Sequence, residues 1–541
     1  MSGVSWLGAA VPLLEHFYPV TARLGATNAI SAIGKFDPWP TQIWTDSPGI
    51  VFRAGTNSGL FLVEVAPDVA PGPHLVRAFN PQGASGPRFL MVEAQASVLE
   101  KEPNDDAMSA QRIESLPVLI DGRLDRSGDV DSYAVILTQG QTLIASLEAY
   151  VLASPVDAVL RLIDSRGVQV ALNHDDGRTL DPFLTWTATT NGTYGVQVFG
   201  FSYPAGSDVR FAGGNTLIYR LHLSGGPWLQ GTSPLGVQRG ETTPLELAGW
   251  NLGAATPHSF QFDGKRVATN ATQALLCVPG FENQSLLPVG EGVETLESEP
   301  NDVGSAAGLL VVPGAVSGCI GNTGDEDRFF FQAKKGEILR LELQSAVFGF
   351  PLDAWLAIED GGGKQLARSD DGPSADPLLE WTAPSEGRYI AAVGSLLHRG
   401  GAEYRYRLAI RFARPEVKAF IKVNTLALKP GETNEFALSV SRRFGGNGNL
   451  QAAMGGLPAG IGCDRVTVPE TGGEVKLKLI AAKDAKPFNG VVHPYLIETT
   501  SGREYRAVFE FITSGIDNGV PNGFNHLVIE STEEIWLTVI P

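Results

Sequence analysis

Cysteine is nearly absent from this chain. Cys277, Cys319 and Cys463 are the whole complement in 541 residues, and an odd, widely spaced set defines no disulfide framework. Basic charge is also short. Lys and Arg number 41 against 59 Asp and Glu, a net charge of −18, and no basic block exists that could neutralise a phosphate backbone. Nucleic acid and anionic membrane surfaces are therefore not expected as partners. Nowhere do eighteen apolar residues run together, which argues against a membrane-spanning helix. The opening Met1-Ser2-Gly3-Val4-Ser5-Trp6 has no basic n-region and no clean cleavage site, so it does not read as a signal peptide. A trimmed mature chain would read the same way.

Catalytic words are missing too. Gly-x-Ser-x-Gly, His-Glu-x-x-His and a Gly-rich phosphate loop ending in Lys-Ser/Thr are not found. The eight histidines are scattered rather than set at metal-ligand spacing. His174 lies beside Asp175, but the matching residue of a second copy described below is Ser369, so a surface turn histidine is the expectation. The chain is read as a non-enzyme.

What the chain does contain is turn formers and repetition. It has 63 Gly and 35 Pro, a mean hydropathy of +0.01 and only 18% charged residues, the profile of a globular β-rich protein. Glu100-Lys101-Glu102-Pro103-Asn104-Asp105 returns as Glu297-Ser298-Glu299-Pro300-Asn301-Asp302. Each is followed by an acidic knot, Gly128-Asp129-Val130-Asp131 in the first copy and Gly324-Asp325-Glu326-Asp327 in the second. Pro155-Val156-Asp157-Ala158, Asp175-Asp176-Gly177 and Asp181-Pro182 recur as Pro351-Leu352-Asp353-Ala354, Asp370-Asp371-Gly372 and Asp376-Pro377. A separate repeat precedes each copy: Pro19, Gly25 and Gly34 keep one constant spacing from Pro234, Gly240 and Gly249.

These spacings predict an all-β protein of tandem β-sandwich domains, immunoglobulin-like and jelly-roll-like. Five units are expected. Residues 1–96 and 226–296 are immunoglobulin-like, 97–225 and 297–412 are the two acidic sandwiches, and 413–541 is a C-terminal immunoglobulin-like sandwich. Strand-like alternation at Phe436–Val440, a turn-rich loop at Ile516–Gly523 and a closing strand at Ile535–Ile540 mark the last unit. Strung in series, such units would form an elongated molecule.

The acidic stretches carry the chemistry. In an extended chain residues i and i+2 face the same way, so Glu100 and Glu102 can point at one site, while Asn104 and Asp105 favour a turn that brings their oxygens round. Asp129 and Asp131 can close the site from the other side. Several oxygens without histidine or thiol is the preference of calcium. A solvated linker followed by an ordinary strand-entry turn is the alternative. The Asp175-Asp176-Gly177 turns could hold a second metal, although turn chemistry accounts for them.

By these motifs the two acidic segments resemble bacterial pre-peptidase C-terminal domains, and Val316–Phe331 is similar to the matching stretch of clostridial collagenase collagen-binding domains. The immunoglobulin-like repeat resembles IPT/TIG domains. The first resemblance implies calcium held by Glu100, Glu102, Asn104, Asp105, Asp129 and Asp131, and by Glu297, Glu299, Asn301, Asp302, Asp325 and Asp327. It departs at one position, where a hydroxyl ligand is replaced by Arg123 and Cys319. Collagen-binding members use aromatics on a late strand; here Phe199, Phe201 and Tyr203 fall at alternate positions, either as an exposed partner-binding strip or as packing against a neighbouring unit. The resulting expectation is a secreted, periplasmic or cell-surface protein that binds a protein or polysaccharide at a cell surface or matrix. An accessory region or partner of a secreted peptidase, and a self-assembling envelope component, are the alternatives.

Overall fold

The computed structural model describes residues 10–176, 179–202, 210–372, 374–446, 448–512 and 528–541. Their elements are strands and three short 3₁₀ turns, Tyr150–Leu152, Gly264–Arg266 and Ala346–Phe348. No helix among them is long and apolar enough to cross a membrane. The predicted all-β class of stacked sheets is what the chain adopts.

The first stretch forms two sheets. One orders Leu13–Tyr18, Thr27–Lys35, Leu60–Val65 and Ile50–Ala54; the other orders Thr21–Arg23, Arg88–Glu93, Gly72–Asn80 and Gln42–Thr45. Alternating burial along Leu60–Val65 sends Phe61, Val63 and Val65 inward, where they meet Phe17, Ile30, Val76 and Leu90. This period of two is what lets one face of each sheet shed water while the other stays solvated.

The two acidic stretches have the same strand order. In the first, one sheet runs Val98–Leu99, Val118–Arg123, Ile218–Ser224, Thr142–Glu148, Phe183–Thr187, and its companion runs Gln111–Arg112, Asp131–Leu137, Gly192–Ser202, Val156–Ile163, Gln169–Asn173. The second repeats it from Val293–Leu296 and Gly308–Leu309 onward. In both, an Asp-Pro aspartate lies beneath a 3₁₀ turn. Asp181 accepts N–H bonds from Ala149, Tyr150 and Val151 at 2.8, 2.7 and 3.1 Å, and Asp376 does so from Ser345, Ala346 and Val347. These recurrent aspartates anchor backbone.

Between the copies lie two three-stranded sheets built from Trp228–Gly290. After the second copy, eleven strands hydrogen-bond into one continuous sheet around a single core that includes Leu438, Leu477, Leu496 and Leu537. The closing strand, Ile535–Val539, pairs in parallel with Thr425–Leu428 and antiparallel with Phe488–Glu498. The Ile516–Gly523 loop lies outside the described residues.

The junctions repeat as well. Asp121 accepts from Val20 N and Thr21 Oγ1 at 3.3 and 3.0 Å; in the second copy Ser317 Oγ accepts from Leu235 N at 2.9 Å. Arg220, its side chain 5% exposed, reaches Glu93 at 2.5 Å, and Arg407 reaches Glu294 at 2.5 Å. The repeated object is thus a joined pair of sheets-on-sheets; the Arg220–Glu93 pair crosses the first joint, while Arg407 and Glu294 lie within one sheet of the second acidic module.

The chain is not elongated. Trp536, 1% exposed, packs against Trp44 and Phe79 with ring centroids 6.0 and 5.0 Å apart, Phe511 meets Phe89 at 5.4 Å, and Arg77 donates to Asn424 at 3.4 Å. The last strands therefore close onto the first sheets. Apolar rings left over on both surfaces explain the closure, since only their mutual contact removes them from water.

One stability prediction arises from the first core. His16 is buried and its pKa is pushed down to about 3, first by burial and then by the charge of Arg88. Its depressed folded pKa means that the unfolded chain binds the extra proton. Its contribution is intact above about pH 6.5 and is lost as pH falls towards about 3, by about 1.4 kcal/mol per pH unit. Acid titration of the unfolding free energy is expected to flatten by that slope in His16→Gln.

Candidate metal centre

Each acidic linker is drawn into the start of a buried strand. In the first copy Asn104 O accepts from Ser132 N at 2.9 Å, and Glu102 accepts from Asn104 N at 3.0 Å. This tethers the linker beside Asp131, the first residue of Asp131–Leu137. Glu102, Asp129 and Asp131 present carboxylate oxygens within 4.8 Å of one another, as do Glu100, Glu102 and Asp125. In the second copy the groups are Glu297, Glu299 and Asp327, and Glu299, Asp302 and Asp325.

Burial makes these cages costly without a cation. Asn104, Asp129, Asp131, Asn301 and Asp327 are all 0% exposed. The Oδ1 atoms of Asp129, Asp131 and Asp327, and both side-chain amide atoms of Asn104 and Asn301, are buried without a hydrogen-bond partner. An orphaned buried acceptor carries its full desolvation cost. The second Asp131 oxygen accepts from Tyr219 Oη at 2.6 Å, and that hydroxyl lies 2.5 Å from Tyr133 Oη. Asp327 accepts from Tyr406 at 2.6 Å. One oxygen of each aspartate is therefore held by protein while the other stays open.

The carboxyl groups respond as such a site demands. Burial, followed by the charges of neighbouring carboxylates, pushes Asp131 up to about 9 and Asp327 up to about 9. Burial raises Glu100 to about 8 and Glu297 to about 7, opposed by the main-chain N–H bonds of Arg123 and Cys319. Like charges this close cannot all ionise unless a cation joins them. An all-oxygen set of carboxylates with one amide suits a hard divalent ion, calcium above zinc. The residues fit the ion.

Glycine is required at one point of the wall. A Cβ on Gly318 would fall 2.4 Å from both Glu297 Oε2 and Tyr406 Oη, and one on Gly122 would fall 2.1 Å from Tyr219 Cζ. Only a bare backbone admits the tyrosine.

The structure gathers Glu100, Glu102, Asn104, Asp129 and Asp131 of the first predicted set and all of Glu297, Glu299, Asn301, Asp302, Asp325 and Asp327 of the second. Asp105 is different. It pairs with Arg126 at 2.5 Å, and the same guanidinium stands 3.8 Å from Asp129 and 4.0 Å from Glu102. The first cage thus has a resident cation at its rim, where the second copy has Asn322. Arg123 does not fill the hydroxyl position. Its side chain pairs with Asp125 and lies 4.8 Å from the Tyr18 ring.

Sequence reasoning missed Asp125 and the two tyrosines. Asp125 has Gly321 as its counterpart, so comparing the copies hides it. The tyrosines were readable, because Tyr219-Arg220-Leu221 returns as Tyr406-Arg407-Leu408.

The aromatic strip needs correction. Phe199 is 6% exposed, lying 4.6 Å from Phe211 and 4.9 Å from the Arg161 guanidinium. Phe201 is 37% exposed and also packs on Phe211, at 5.6 Å. Tyr203 lies outside the described residues. Phe211 follows in the same unit and covers Phe199, while Phe201 stays partly exposed. His174 pairs with Asp157 at 2.9 Å and stands 3.6 Å from Asp175; the second copy has Ser369, Asp353 and Asp370 at these places.

Comparison with known proteins gives one curated relative and several distant structural likenesses. The chain is 27% identical over 134 residues to a probable subtilase-type serine protease of Deinococcus radiodurans; the match covers 24% of this chain and 17% of that protein. No family model matches. Among solved structures, the pre-peptidase C-terminal domain of a collagenase from Bacillus anthracis aligns at 10% identity and a TM-score of 0.17, covering 21% of this chain and 99% of that one. The N-terminal eight immunoglobulin domains of Down syndrome cell adhesion molecule align at 10% identity and a TM-score of 0.13, covering 92% and 72%.

Proposed function

We propose that this chain is a non-catalytic, exported binding or scaffold protein, with two pre-peptidase C-terminal-like modules stabilised by calcium, each joined to an immunoglobulin-like partner. In this reading the units are 1–96, 97–225, 226–296, 297–412 and 413–541. The observation that carries it is the pair of oxygen-lined cages with orphaned, fully buried Asn104 and Asn301. Both lie where an immunoglobulin-like sheet pair hands over to an acidic module. Calcium there orders the linker as well as the sandwich, because binding free energy at a site made by folding is folding free energy. The ligand is a protein or polysaccharide outside the cell, and the exposed Phe201 is a contact residue of this proposal.

A second reading is favoured by the protease match: the chain serves as an accessory region or partner of a secreted peptidase. Self-assembly into an envelope component is the third. Calcium titration by calorimetry tests the shared core of these readings. Two ions per chain are expected, the second-copy site being tighter because Arg126 must be displaced from the first. A stoichiometry of zero would sink it.

A further inference from the structure

A cleft of about 670 Å³ opens where Thr269–Gly292, the second acidic module and the C-terminal sheet meet. Six arginines line it, against three glutamates, in a chain whose overall charge is −18. Positive charge is therefore concentrated here against the trend of the whole surface. We propose that this cleft binds a carboxylated oligosaccharide, a short chain of uronic acid residues. The proposal rests on the binding-protein reading above and names the ligand class for it.

The arginines differ in what they already hold. Arg407 is committed to Glu294, both side chains being almost fully buried. Arg414 and Arg411 pair with Glu291 and Glu342 at 2.7 and 3.4 Å through side chains that are 72% and 49% exposed. Such exposed pairs are weak and exchange readily for a ligand carboxylate. Arg239 donates only to the main-chain carbonyls of Ala268 and Ala271. Arg503 stacks 4.9 Å from the Tyr505 ring. Among the described residues neither has a carboxylate partner. Arg340 stands 3.9 Å from Glu342 and 3.8 Å from Glu380, its Nε buried without a hydrogen bond. Guanidinium forks match carboxylates bidentately.

The rest of the lining selects a sugar over an acidic peptide. Asn270, Gln273, Thr269 and Thr272 supply amides and hydroxyls of the kind that pair with sugar hydroxyls. Phe412, 40% exposed, and Phe444 offer ring faces. Phe444 holds a φ of 52°, a conformation costly for a bulky residue and concentrated at ligand sites. The volume lies within the range of small-ligand clefts.

The experiment titrates the full chain with a trigalacturonate, a neutral trisaccharide of the same linkage and a triglutamate peptide, at low and high salt. Trigalacturonate is expected to bind, more weakly at high salt, while the neutral sugar does not. Arg239→Ala with Arg503→Ala should lower its affinity by roughly tenfold. The melting temperature of the double variant checks folding, and Arg503→Glu alone provides a second variant that breaks no ion pair. No binding by the wild type, equal binding of the neutral sugar or the peptide, or unchanged affinity in both variants would overturn the proposal. Calcium stoichiometry is read separately and does not involve the cleft, so failure of one is distinguishable from failure of the other.

Discussion

Calcium added to the chelated chain is expected to raise the melting transition of the acidic modules by roughly 10 °C at saturating ion. The sign follows from the cages. Without a cation, Asp131 and Asp327 are pushed up to about 9 by burial and neighbouring carboxylates, and their open oxygens have no partner. In the proposed calcium-bound state the same oxygens would be ligands. A substitution separates this from ordinary packing. Asp131→Asn keeps an acceptor for the Tyr219 hydroxyl, now at 2.6 Å, and removes a carboxyl that must take up a proton on folding when no cation is bound. It is expected to raise the melting temperature of the calcium-free protein while abolishing the calcium increment of the first module. The second module, carried by Asp327, should respond as before. Differential scanning calorimetry with calcium and with chelator reads all four states. A chelator that leaves the wild-type melt unmoved, or an Asp131→Asn variant that keeps its full increment, is incompatible with the clamp.

The other large effect belongs to Trp536. Truncation to alanine is expected to cost about 3–5 kcal/mol, because the side chain is 1% exposed and fills the contact with Trp44 and Phe79. The same ring also closes the chain, so the cost has two parts. Trp44→Ala with Phe79→Ala removes only the partner side of the contact and leaves the C-terminal core intact. Small-angle scattering is expected to show a larger radius of gyration for this pair, with the C-terminal melt nearly preserved. An unchanged radius in both variants would mean that the closure is held elsewhere.

Much of the chain was legible before folding because its information is local. Turn glycines, alternating apolar residues and the repeated acidic words act within a few residues, and they announced strands, two repeats and all but one of the gathered carboxylates. The exception, Asp125, lacks a counterpart in the second copy, so nothing in the repeat marks it. The aromatic spacing at Phe199 and Phe201 places both on one face, yet exposure depends on what covers each ring, and Phe211 buries Phe199 while leaving Phe201 37% exposed.

The sequence by itself determined the all-β class, the paired repeat and the oxygen-only chemistry of the acidic linkers, since strand period and ligand type are properties of short stretches. Tertiary structure alone decided that the chain closes through Trp536, that Arg126 guards one cage and not the other, and that six arginines, three on one sheet and three on loops, share a cleft. Those facts rest on groups far apart in the chain. Their proximity is set by how whole faces exclude water, which no local pattern encodes.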